Sequence, residues 1–233
     1  MLPTGELAVL ATPMGSGAPP NRLHLVGPEG RLLASFAPAP RAYDRLNDSN
    51  ERAGSLSPSA RYGGLWLATL SRYALQLYVE QDVRRIVLRE LDWFRPWEGR
   101  VALEGLASPS RPGIVGVGER PDGLLTVLLR RADANWEENQ HLFSRFAASS
   151  SGEGATNPRA VDRTLMFDSV LEILDVETGR IVGSSASSDY LRGPIGDGTI
   201  VYARRYDIIG RVYIHLFRVA LPDGPGARES YVS

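Results

Sequence analysis

Arginine side chains that follow short apolar segments are the residues of this sequence best suited to chemistry. Three such segments each open on a glycine, and an arginine follows that glycine by six to eight residues. These arginines are Arg72, Arg130 and Arg204, and Arg131 and Arg205 continue the last two. If the segments are the innermost strands of neighbouring sheets, their ends line one mouth of a central channel. Converging guanidinium groups there would suit a carboxylate or phosphate ligand, which accepts paired N–H donors.

The same arginines also have acidic partners close in sequence. The candidates are Asp133, Glu137, Asp189 and Asp207. In a chain of nearly balanced charge, ion pairs of this kind would hold neighbouring sheets together without binding a ligand. The arginine pattern by itself therefore leaves a ligand site and a structural role open.

Aromatic residues accompany the arginines. Tyr73 follows Arg72, and Trp93 belongs to the dense aromatic segment 92–97. Large aromatic side chains are seldom left in solvent because each can bury a large apolar area. They predict a stacking wall for a ring-bearing ligand, a protein contact, or plugs that pack one sheet on the next. Tyr73 and Trp93 join Arg72, Arg130 and Arg204 as the predicted ligand-binding residues.

Sequence motifs of catalysis are absent. The chain has no GxSxG elbow, phosphate loop, HExxH pair or EF-hand loop, and the stretch 116–121 lacks the third glycine of a dinucleotide fingerprint. Its three histidines, His24, His141 and His215, are far apart and do not predict a metal triad. These observations predict no catalytic residues, no metal ligands and no cofactor.

Composition narrows the class of protein further. Of the 233 residues 43% are hydrophobic, and all 26 basic residues are arginine, which 27 acids nearly cancel to a net charge of −1. This balance gives no general attraction to nucleic acid or to an anionic membrane. There is no cysteine, hence no disulfide framework, and no apolar run long enough to span a bilayer.

The segments that must position these residues have the pattern of short strands. They are four to eight residues long, apolar or alternating, and bounded by Gly, Pro, Asp or Asn. The predicted strands are Glu6–Ala11, Arg22–Val26, Leu65–Leu70, Leu75–Val79, Leu124–Leu129, Val170–Leu174, Thr199–Ala203 and Val212–Val219. The pattern predicts an all-β chain.

A loose repeat organises these strands. A glycine directly before an apolar strand recurs at Gly5, Gly64, Gly123 and Gly198, with spacings of 59, 59 and 75 residues. Behind two of these strands lies a hairpin closed by Gly30 or Gly179, where glycine supplies the positive φ that the turn needs. A unit of about four strands with this order is typical of a β-propeller blade. A β-sandwich or an irregular barrel is the alternative.

The segments GELAVLA, RLHLVGPEGRLLASF, GGLWLATLSRYALQLYV, DWFRPW, DGLLTVLLRRADANW and VLEILDVETGRIVGS resemble bacterial six-bladed β-propellers of the NHL-like, TolB-like kind. Four units are visible where that family has six. The resemblance therefore implies the C-terminal portion of a longer propeller, a four-unit variant, or a ring completed by another chain. Strand signals that begin by residue 6 favour the C-terminal portion.

The predicted organisation is a single propeller-like domain over 1–233, with units near 3–54, 55–112, 113–192 and 193–233. Residues 136–162 form an insertion. The first part of this insertion, 136–148, has the spacing of a short amphipathic helix capped by Asn135, and 149–158 is a polar loop. Residues 43–52 are a polar stretch between units.

Function follows from these expectations. The repeat and the placement of arginine and aromatic residues predict a ligand-binding, protein-binding or scaffold protein, whose partner is a small anionic or aromatic ligand or another protein. Open blade edges would permit oligomers. The alternative, implied by the resemblance, is a divalent-metal-dependent lactonase-like or esterase-like hydrolase in the channel, with Glu6, Asn135 and Asp197 as oxygen ligands. Proteins of this appearance are often exported, and the sequence leaves the compartment open.

Overall fold

Short strands dominate the structure, a computed structural model that describes residues 5–10, 21–38, 54–70, 72–94, 112–136, 138–139, 167–206 and 211–221. Within these ranges the strands are β1 Leu7–Leu10, β2 Asn21–Val26, β3 Leu32–Pro38, β4 Gly54–Ser59, β5 Gly64–Thr69, β6 Ala74–Val79, β7 Asp82–Leu88, β8 Gly113–Glu119, β9 Leu125–Ala132, β10 Phe167–Asp175, β11 Arg180–Ser187, β12 Leu191–Ile195, β13 Ile200–Tyr206 and β14 Val212–Arg218.

The strands form four antiparallel sheets, each a simple meander. Sheet 1 is β1-β2-β3, sheet 2 is β4-β5-β6-β7, sheet 3 is β8-β9-β10-β11, and sheet 4 is β12-β13-β14. All eight predicted strands are present, as β1, β2, β5, β6, β9, β10, β13 and β14. The predicted fold class, all-β with about four blade-like antiparallel units, is confirmed. Their grouping into one domain stays a prediction.

Tight turns close the hairpins as the sequence predicts. Gly30, between β2 and β3, has a φ of 80°, and Gly179, between β10 and β11, has a φ of 69°. An L-residue with a side chain rarely adopts this conformation, so glycine fixes both turns.

Each sheet packs face to face on the next. Leu23 and Phe36 of sheet 1 pack with Leu67 of sheet 2. On its other face sheet 2 packs on sheet 3 through a cluster that contains Trp66, Tyr73, Leu75, Ile114, Val127 and Leu129. Sheet 3 in turn packs on sheet 4 through Leu128, Leu171, Ile173, Leu191 and Val201. The inner strands of sheets 2 and 3, β5, β6, β9 and β10, are thus covered on both faces, which explains why they read as apolar runs without strict alternation.

The first strands of the sheets lie beside each other. Strand β4 contacts β8, and β8 contacts β12. The strands that follow Gly64, Gly123 and Gly198 are β5, β9 and β13, and each is second in its sheet, whereas β1, which follows Gly5, is first. The three strands that lead to Arg72, Arg130 and Arg204 are therefore not edge strands, as the innermost strand of a blade would be. Strands β8 and β12 approach so closely that a Cβ on Gly116 would lie 1.5 Å from the carbonyl oxygen of Gly193. Only glycine permits this contact.

The sheets have two different ends. At one, called the turn end here, short connections join strands through residues 60–63, 80–81, 120–124, 176–179 and 196–199. The other, the loop end, holds residues 70–73, 89–94, 130–136 and 188–190. Sheets 2 and 3 are also connected there through the backbone, since the Ile114 N–H donates to the Leu70 carbonyl at 3.1 Å. The predicted arginine and aromatic residues all lie at the loop end.

Several predictions fall wholly or partly outside the described residues. They concern the polar stretch 43–52, the aromatic residues 95–97, and most of the insertion 136–162. At its start Trp136, Glu138 and Asn139 are helical, and the Asn139 N–H donates to the Asn135 carbonyl at 3.1 Å. In the part of the chain that the structure describes, no helix has the length and apolar character needed to cross a bilayer.

Candidate functional site

An aromatic ring between two arginines forms the most distinctive group at the loop end. The guanidinium carbon of Arg130 lies 4.0 Å from the centre of the Tyr190 ring, and that of Arg192 lies 5.5 Å from it. The Phe167 ring is 6.3 Å from Tyr190 and 5.9 Å from the Arg130 guanidinium. These four residues are called the Tyr190 cluster. Arginine attracted to the face of tyrosine is held in place without losing its N–H donors.

Backbone pairing and one serine bring these residues together. Arg130 at the end of β9 is directly opposite Ser169 of β10. The Ser169 hydroxyl donates to the Asp189 carbonyl at 2.7 Å and accepts from the Leu191 N–H at 2.9 Å. This bridge joins sheet 3 to the start of sheet 4, and it places Tyr190 next to Arg130.

Two further arginines border the Tyr190 cluster in ion pairs. Arg131 donates to Asp168 at 2.9 Å, and Arg205 donates to Asp189 at 2.6 Å. Arg205 is thus paired with Asp189, one of the acids expected as a structural partner. Both arginine side chains are about half exposed, so their pairs contribute little to stability and leave N–H donors facing solvent.

The other predicted acidic partners are placed differently. Asp133 accepts a hydrogen bond from the Asn135 N–H at 2.7 Å. It thus shapes the chain after β9, while the acid that pairs with Arg131 is Asp168 of the neighbouring strand β10. Glu137 and Asp207 lie outside the described residues.

Among the described residues, the charged members of the Tyr190 cluster are arginines. The carboxylates described beside it, Asp168 and Asp189, are each engaged by an arginine outside the cluster. The Arg192 Nε is buried and has no hydrogen-bond partner in the structure. A buried N–H donor without an acceptor is costly. Guanidinium groups beside aromatic rings are the kind of arrangement that recognises a carboxylate or phosphate next to a ring.

Tyr73 and Trp93 have other surroundings. Tyr73 is buried between sheets 2 and 3, where its hydroxyl donates to Glu172 at 2.7 Å and its ring lies 5.9 Å from Phe94. Trp93 packs against the same core, 5.7 Å from Phe94. Of the roles considered for these aromatic residues, packing between sheets is the one that both contacts fit.

Glu172 is a buried acid next to this tyrosine. Burial raises its pKa above the ordinary value, although the hydrogen bond from Tyr73 and the Arg89 guanidinium at 3.6 Å act against this. Burial, together with the nearby Glu172 carboxylate, also raises the pKa of Tyr73. The Arg89 Nη1 is itself buried without a hydrogen bond. This group belongs to the core.

Arg72 and Arg204 are not in the Tyr190 cluster. Arg72 is exposed at the connection between β5 and β6. Arg204 is exposed on β13, and the strand alternation places it on the face opposite to Val201 and Ala203, which are buried against sheet 3. The structure thus assigns one of the three predicted arginines, Arg130, to the Tyr190 cluster.

Sequence reasoning missed Phe167, Tyr190 and Arg192. Their signal was weak because Tyr190 and Arg192 flank Leu191 at the start of β12, a short strand with glycine and proline that was not predicted. The spacing of Tyr190 and Arg192, two residues apart on an extended segment, would have placed both on one face.

A cleft of about 350 Å³ lies at the opposite, turn end. It is lined by Tyr62, Leu77, Val79, Glu80, Arg84 and Arg85. Glu177 already binds two of its polar groups, because Tyr62 donates to it and Arg85 donates to it at 2.7 Å. Because these two donors are already engaged, the cleft is less able to bind an anion.

The oxygen ligands expected for a metal ion, Glu6, Asn135 and Asp197, are not assembled. Asn135 is at the loop end, whereas Asp197 is in the turn between β12 and β13 at the turn end, hydrogen-bonded by Thr199. Glu6 directly precedes β1. Within the described ranges, no three His, Asp or Glu residues are grouped so that they could hold a metal ion.

Comparison with known proteins gives a likeness of fold. No protein-family model matches the chain, and no curated protein matches it. Among solved structures, a member of the DUF4221 family from Bacteroides vulgatus is similar over 85% of this chain and 56% of its own, with a TM-score of 0.50 and 7% identity. A protein of unknown function from Bacteroides caccae covers 93% of this chain and 59% of its own, with a TM-score of 0.40 and 8% identity.

The chain therefore spans less than two thirds of the length of either solved structure. At 7% identity, the likeness to the Bacteroides vulgatus protein concerns the fold alone, an all-β arrangement of several antiparallel sheets.

Proposed function

We propose that this protein is a non-catalytic, propeller-type binding protein that takes an anionic ligand at the Tyr190 cluster. The ligand carries a carboxylate or a phosphate next to a ring or another flat group. The observation that carries the proposal is the position of Arg130 and Arg192 over one tyrosine, at 4.0 and 5.5 Å from its centre.

Three properties of the cluster support binding. The tyrosine and Phe167 limit the conformations of the arginines, so less entropy is lost when a ligand is bound. The aromatic rings exclude water on one side, which strengthens charge-assisted hydrogen bonds. Finally, the adjacent carboxylates are engaged by Arg131 and Arg205, so an incoming anion meets little repulsion.

The propeller assignment is part of this proposal. Its support is the series of four face-packed antiparallel sheets whose first strands lie side by side, together with the resemblance of the hairpin units to NHL-like and TolB-like six-bladed propellers. In such a ring the loop end would form one rim.

The test is thermal unfolding in the presence of inorganic phosphate or phenyl phosphate at constant ionic strength. We expect both ligands to raise the Tm of the wild-type protein, phenyl phosphate more, because its ring can stack. Arg192→Gln and Arg130→Gln should each weaken binding about tenfold, as expected for loss of a charge-assisted pair. Arg72→Gln is the matched control, since Arg72 is an exposed arginine at the same end.

Equal ligand-induced Tm shifts in all four proteins, or no shift in any of them, would contradict the proposal. A general effect of the anions on protein stability would raise the Tm of Arg192→Gln as much as that of Arg72→Gln.

The metal-dependent hydrolase remains a second prediction. It requires that calcium or another divalent ion raise the Tm and that EDTA remove an esterase or lactonase activity. The absence of both effects would eliminate it.

A further inference from the structure

A carboxylate of the chain itself lies in a group of cationic and aromatic side chains at the turn end. The guanidinium carbons of Arg61 and Arg85 are 5.2 and 6.0 Å from the centre of the Tyr62 ring. These three residues are called the Tyr62 cluster. Glu177, in the turn between β10 and β11, accepts hydrogen bonds from the Tyr62 hydroxyl and from Arg85 at 2.7 Å. Its Oε1 also lies 3.4 Å from the Arg61 Nη2. The Tyr62 cluster thus provides the donors that a carboxylate requires.

Contacts other than those with this carboxylate hold the Tyr62 cluster in place. The guanidinium of Arg61 lies against the turn at Gly123, where a Cβ would come within 2.9 Å of the Arg61 Nη1. Arg85 also donates to the Val176 carbonyl. Because each arginine has a separate contact with sheet 3, we expect the donors to stay in position when a different carboxylate replaces this one.

Glu177 is able to leave this position without disturbing its turn. The Glu177 N–H and the Thr178 hydroxyl donate to the Asp175 carboxylate at 2.9 and 2.7 Å, and the Gly179 N–H donates to the Asp175 carbonyl at 2.8 Å. These bonds fix the turn through groups other than the Glu177 side chain. That side chain is 44% exposed, and ion pairs between exposed groups contribute little to stability. A ligand carboxylate would therefore compete with a weakly held one.

The cleft next to the Tyr62 cluster has room for the body of such a ligand. Tyr62 and Arg85 line it together with Leu77 and Val79 of β6, and its volume is about 350 Å³. This volume is at the lower end of the range for small-ligand pockets. Two aliphatic side chains and one aromatic ring suit an apolar or aromatic group attached to the carboxylate.

A β-bulge adds a second arginine to the cleft. Strand β7 pairs Val83 with Tyr78 and Arg85 with Leu77. Arg84 is therefore an extra residue in the register. In a regular strand adjacent side chains point to opposite faces, but here Arg84 and Arg85 both line the cleft. Bulges commonly redirect a side chain in this way next to a functional site.

The turn between β6 and β7 limits the charge that the cleft accepts. Glu80 in this turn is exposed and lines the cleft. Its carboxylate repels negative charge, so a singly charged group is favoured over a phosphate monoester, which carries nearly two charges at neutral pH. Glu80 and Gln81 also have φ values of 50° and 76°, where glycine or asparagine is usual. Strained backbone of this kind is concentrated at binding and active sites.

We propose that the cleft and the Tyr62 cluster form a second ligand site, which binds a monocarboxylate with an apolar or aromatic body. The ligand carboxylate takes the position of Glu177, Arg84 adds a further charge-assisted contact, and the body packs on the apolar wall of the cleft. Glu177 is thus an intramolecular competitor that keeps the affinity of the site low. The site is at the opposite end from the Tyr190 cluster and does not depend on it.

The experiment measures binding of 3-phenylpropionate by isothermal titration calorimetry. All proteins carry Arg192→Gln, which weakens binding at the Tyr190 cluster, so that the turn end dominates the signal. Glu177→Ala should bind 3-phenylpropionate about tenfold more tightly than the protein that retains Glu177, because the donors of the Tyr62 cluster are then open to the ligand. Glu29→Ala is the matched control and should leave binding unchanged, since it also removes an exposed acid that pairs with an arginine, Arg31 at 3.4 Å.

Further ligands and one further variant test the chemistry of the site in the Glu177→Ala protein. The neutral 3-phenylpropanamide should not bind. Propionate, which lacks the ring, and phenyl phosphate, which carries the second charge, should each bind about fivefold more weakly than 3-phenylpropionate. Adding Arg84→Gln should weaken binding of 3-phenylpropionate about fivefold as well.

Any of three results would overturn the proposal. The first is no saturable binding of 3-phenylpropionate by a Glu177→Ala protein that unfolds cooperatively or, should that variant not fold, by Glu177→Gln. The second is equal affinity with and without Glu177, because Glu177 would then not occupy the ligand position. The third is binding of the amide or of phenyl phosphate as tight as that of 3-phenylpropionate, because recognition would then not depend on a single negative charge.

Discussion

The turn end and the loop end of the same sheets use their charged residues differently. At the turn end, Glu119 accepts hydrogen bonds from the Ser59 hydroxyl at 2.6 Å, the Trp66 indole at 2.7 Å and the Arg61 N–H at 2.9 Å. At the loop end, Arg130 and Arg192 lie over an aromatic ring. Glu119 thus connects sheets 2 and 3 at the turn end, whereas the arginines of the Tyr190 cluster lie against a ring at the loop end.

Short turns explain the arrangement at the turn end. A turn of two to five residues holds its side chains at fixed positions, so polar groups there can reach partners in two sheets. Arg120 shows this, since it donates to Asp122 of its own turn at 3.0 Å and to the Val219 carbonyl of sheet 4 at 3.0 Å. The connections 70–73 and 188–190 of the loop end are equally short, so connection length alone does not explain why Arg130 and Arg192 lie against an aromatic ring.

The turn end also differs in how its acids titrate. Although partial burial of Asp122 raises its pKa, hydrogen bonds from Arg120 and the Leu124 N–H hold that pKa below its ordinary value. Hydrogen bonds from Tyr62 and Arg85 lower the pKa of Glu177. Glu172, by contrast, has its pKa raised by burial. Lowering the pH therefore weakens the stabilising contribution of Asp122 and Glu177, whereas raising the pH weakens that of Glu172.

The largest effect expected is that of removing the Glu119 carboxylate. Glu119→Ala leaves the buried indole N–H of Trp66 and the buried hydroxyl of Ser59 without their acceptor. We expect the free energy of unfolding to fall by about 3 kcal/mol, measured by urea denaturation. Glu138→Ala, at an exposed acid of the loop end, should change it by less than about 0.5 kcal/mol. Similar losses in both variants would remove the distinction between the ends.

The next effect concerns the buried tyrosine of the loop end. Tyr73→Phe removes the hydroxyl that donates to Glu172, a carboxylate with little access to water. A loss of about 2 kcal/mol is expected in the same urea measurement. Tyr202→Phe serves as the control, since Tyr202 is only partly buried. If Tyr73→Phe were neutral, the hydrogen bond to Glu172 would have no structural importance.

A smaller effect is expected on how the free energy of unfolding depends on pH. Because the folded-state pKa of Glu172 is above its ordinary value of 4.5, its protonated form is favoured by folding. Its contribution is complete below pH 4.5 and is lost as the pH rises through the folded-state value. Glu172→Gln should therefore reduce the decline in stability between pH 4.5 and neutral pH. Urea denaturation across this range tests this, and an unchanged pH profile would refute it.

The smallest effect is expected at exposed Glu177. Its pKa is lowered, so its ion pairs stabilise the protein above the ordinary glutamate pKa, and this stabilisation is lost as the pH falls through the lowered value. Glu177→Gln should lower the Tm slightly at low salt and much less in 1 M NaCl, because salt screens exposed pairs. A salt-independent loss would show that packing, and not charge, is what Glu177 provides at the turn end.

The hairpins could be predicted from sequence, whereas the first strands of sheets 2, 3 and 4 could not. Turn glycines such as Gly30 and Gly179 and the apolar runs around them identify strands by local chemistry alone. Strands β4, β8 and β12 read GSLSPS, GIVGVGE and LRGPI. Their small residues and prolines have low strand propensity, and they are extended because neighbouring sheets pack against them.

Sequence reasoning singled out one residue of the Tyr190 cluster. Arg130 follows an apolar run and was recognised, but its partners Tyr190 and Arg192 belong to the unrecognised region of β12. The contact across sheets depends on how two sheets pack, and a single sequence carries little information about that packing.

The glycine contact between β8 and β12 has a geometric consequence. With no side chain at Gly116 or Gly193, two backbones meet where sheets 3 and 4 are joined at their first strands, while Leu128, Leu171 and Val201 separate these sheets farther out. The pair is thus a wedge, narrow on one side and wide on the other. A methyl group at position 116 would collide with the Gly193 carbonyl, so the close approach of these two sheets at their first strands depends on a missing carbon atom.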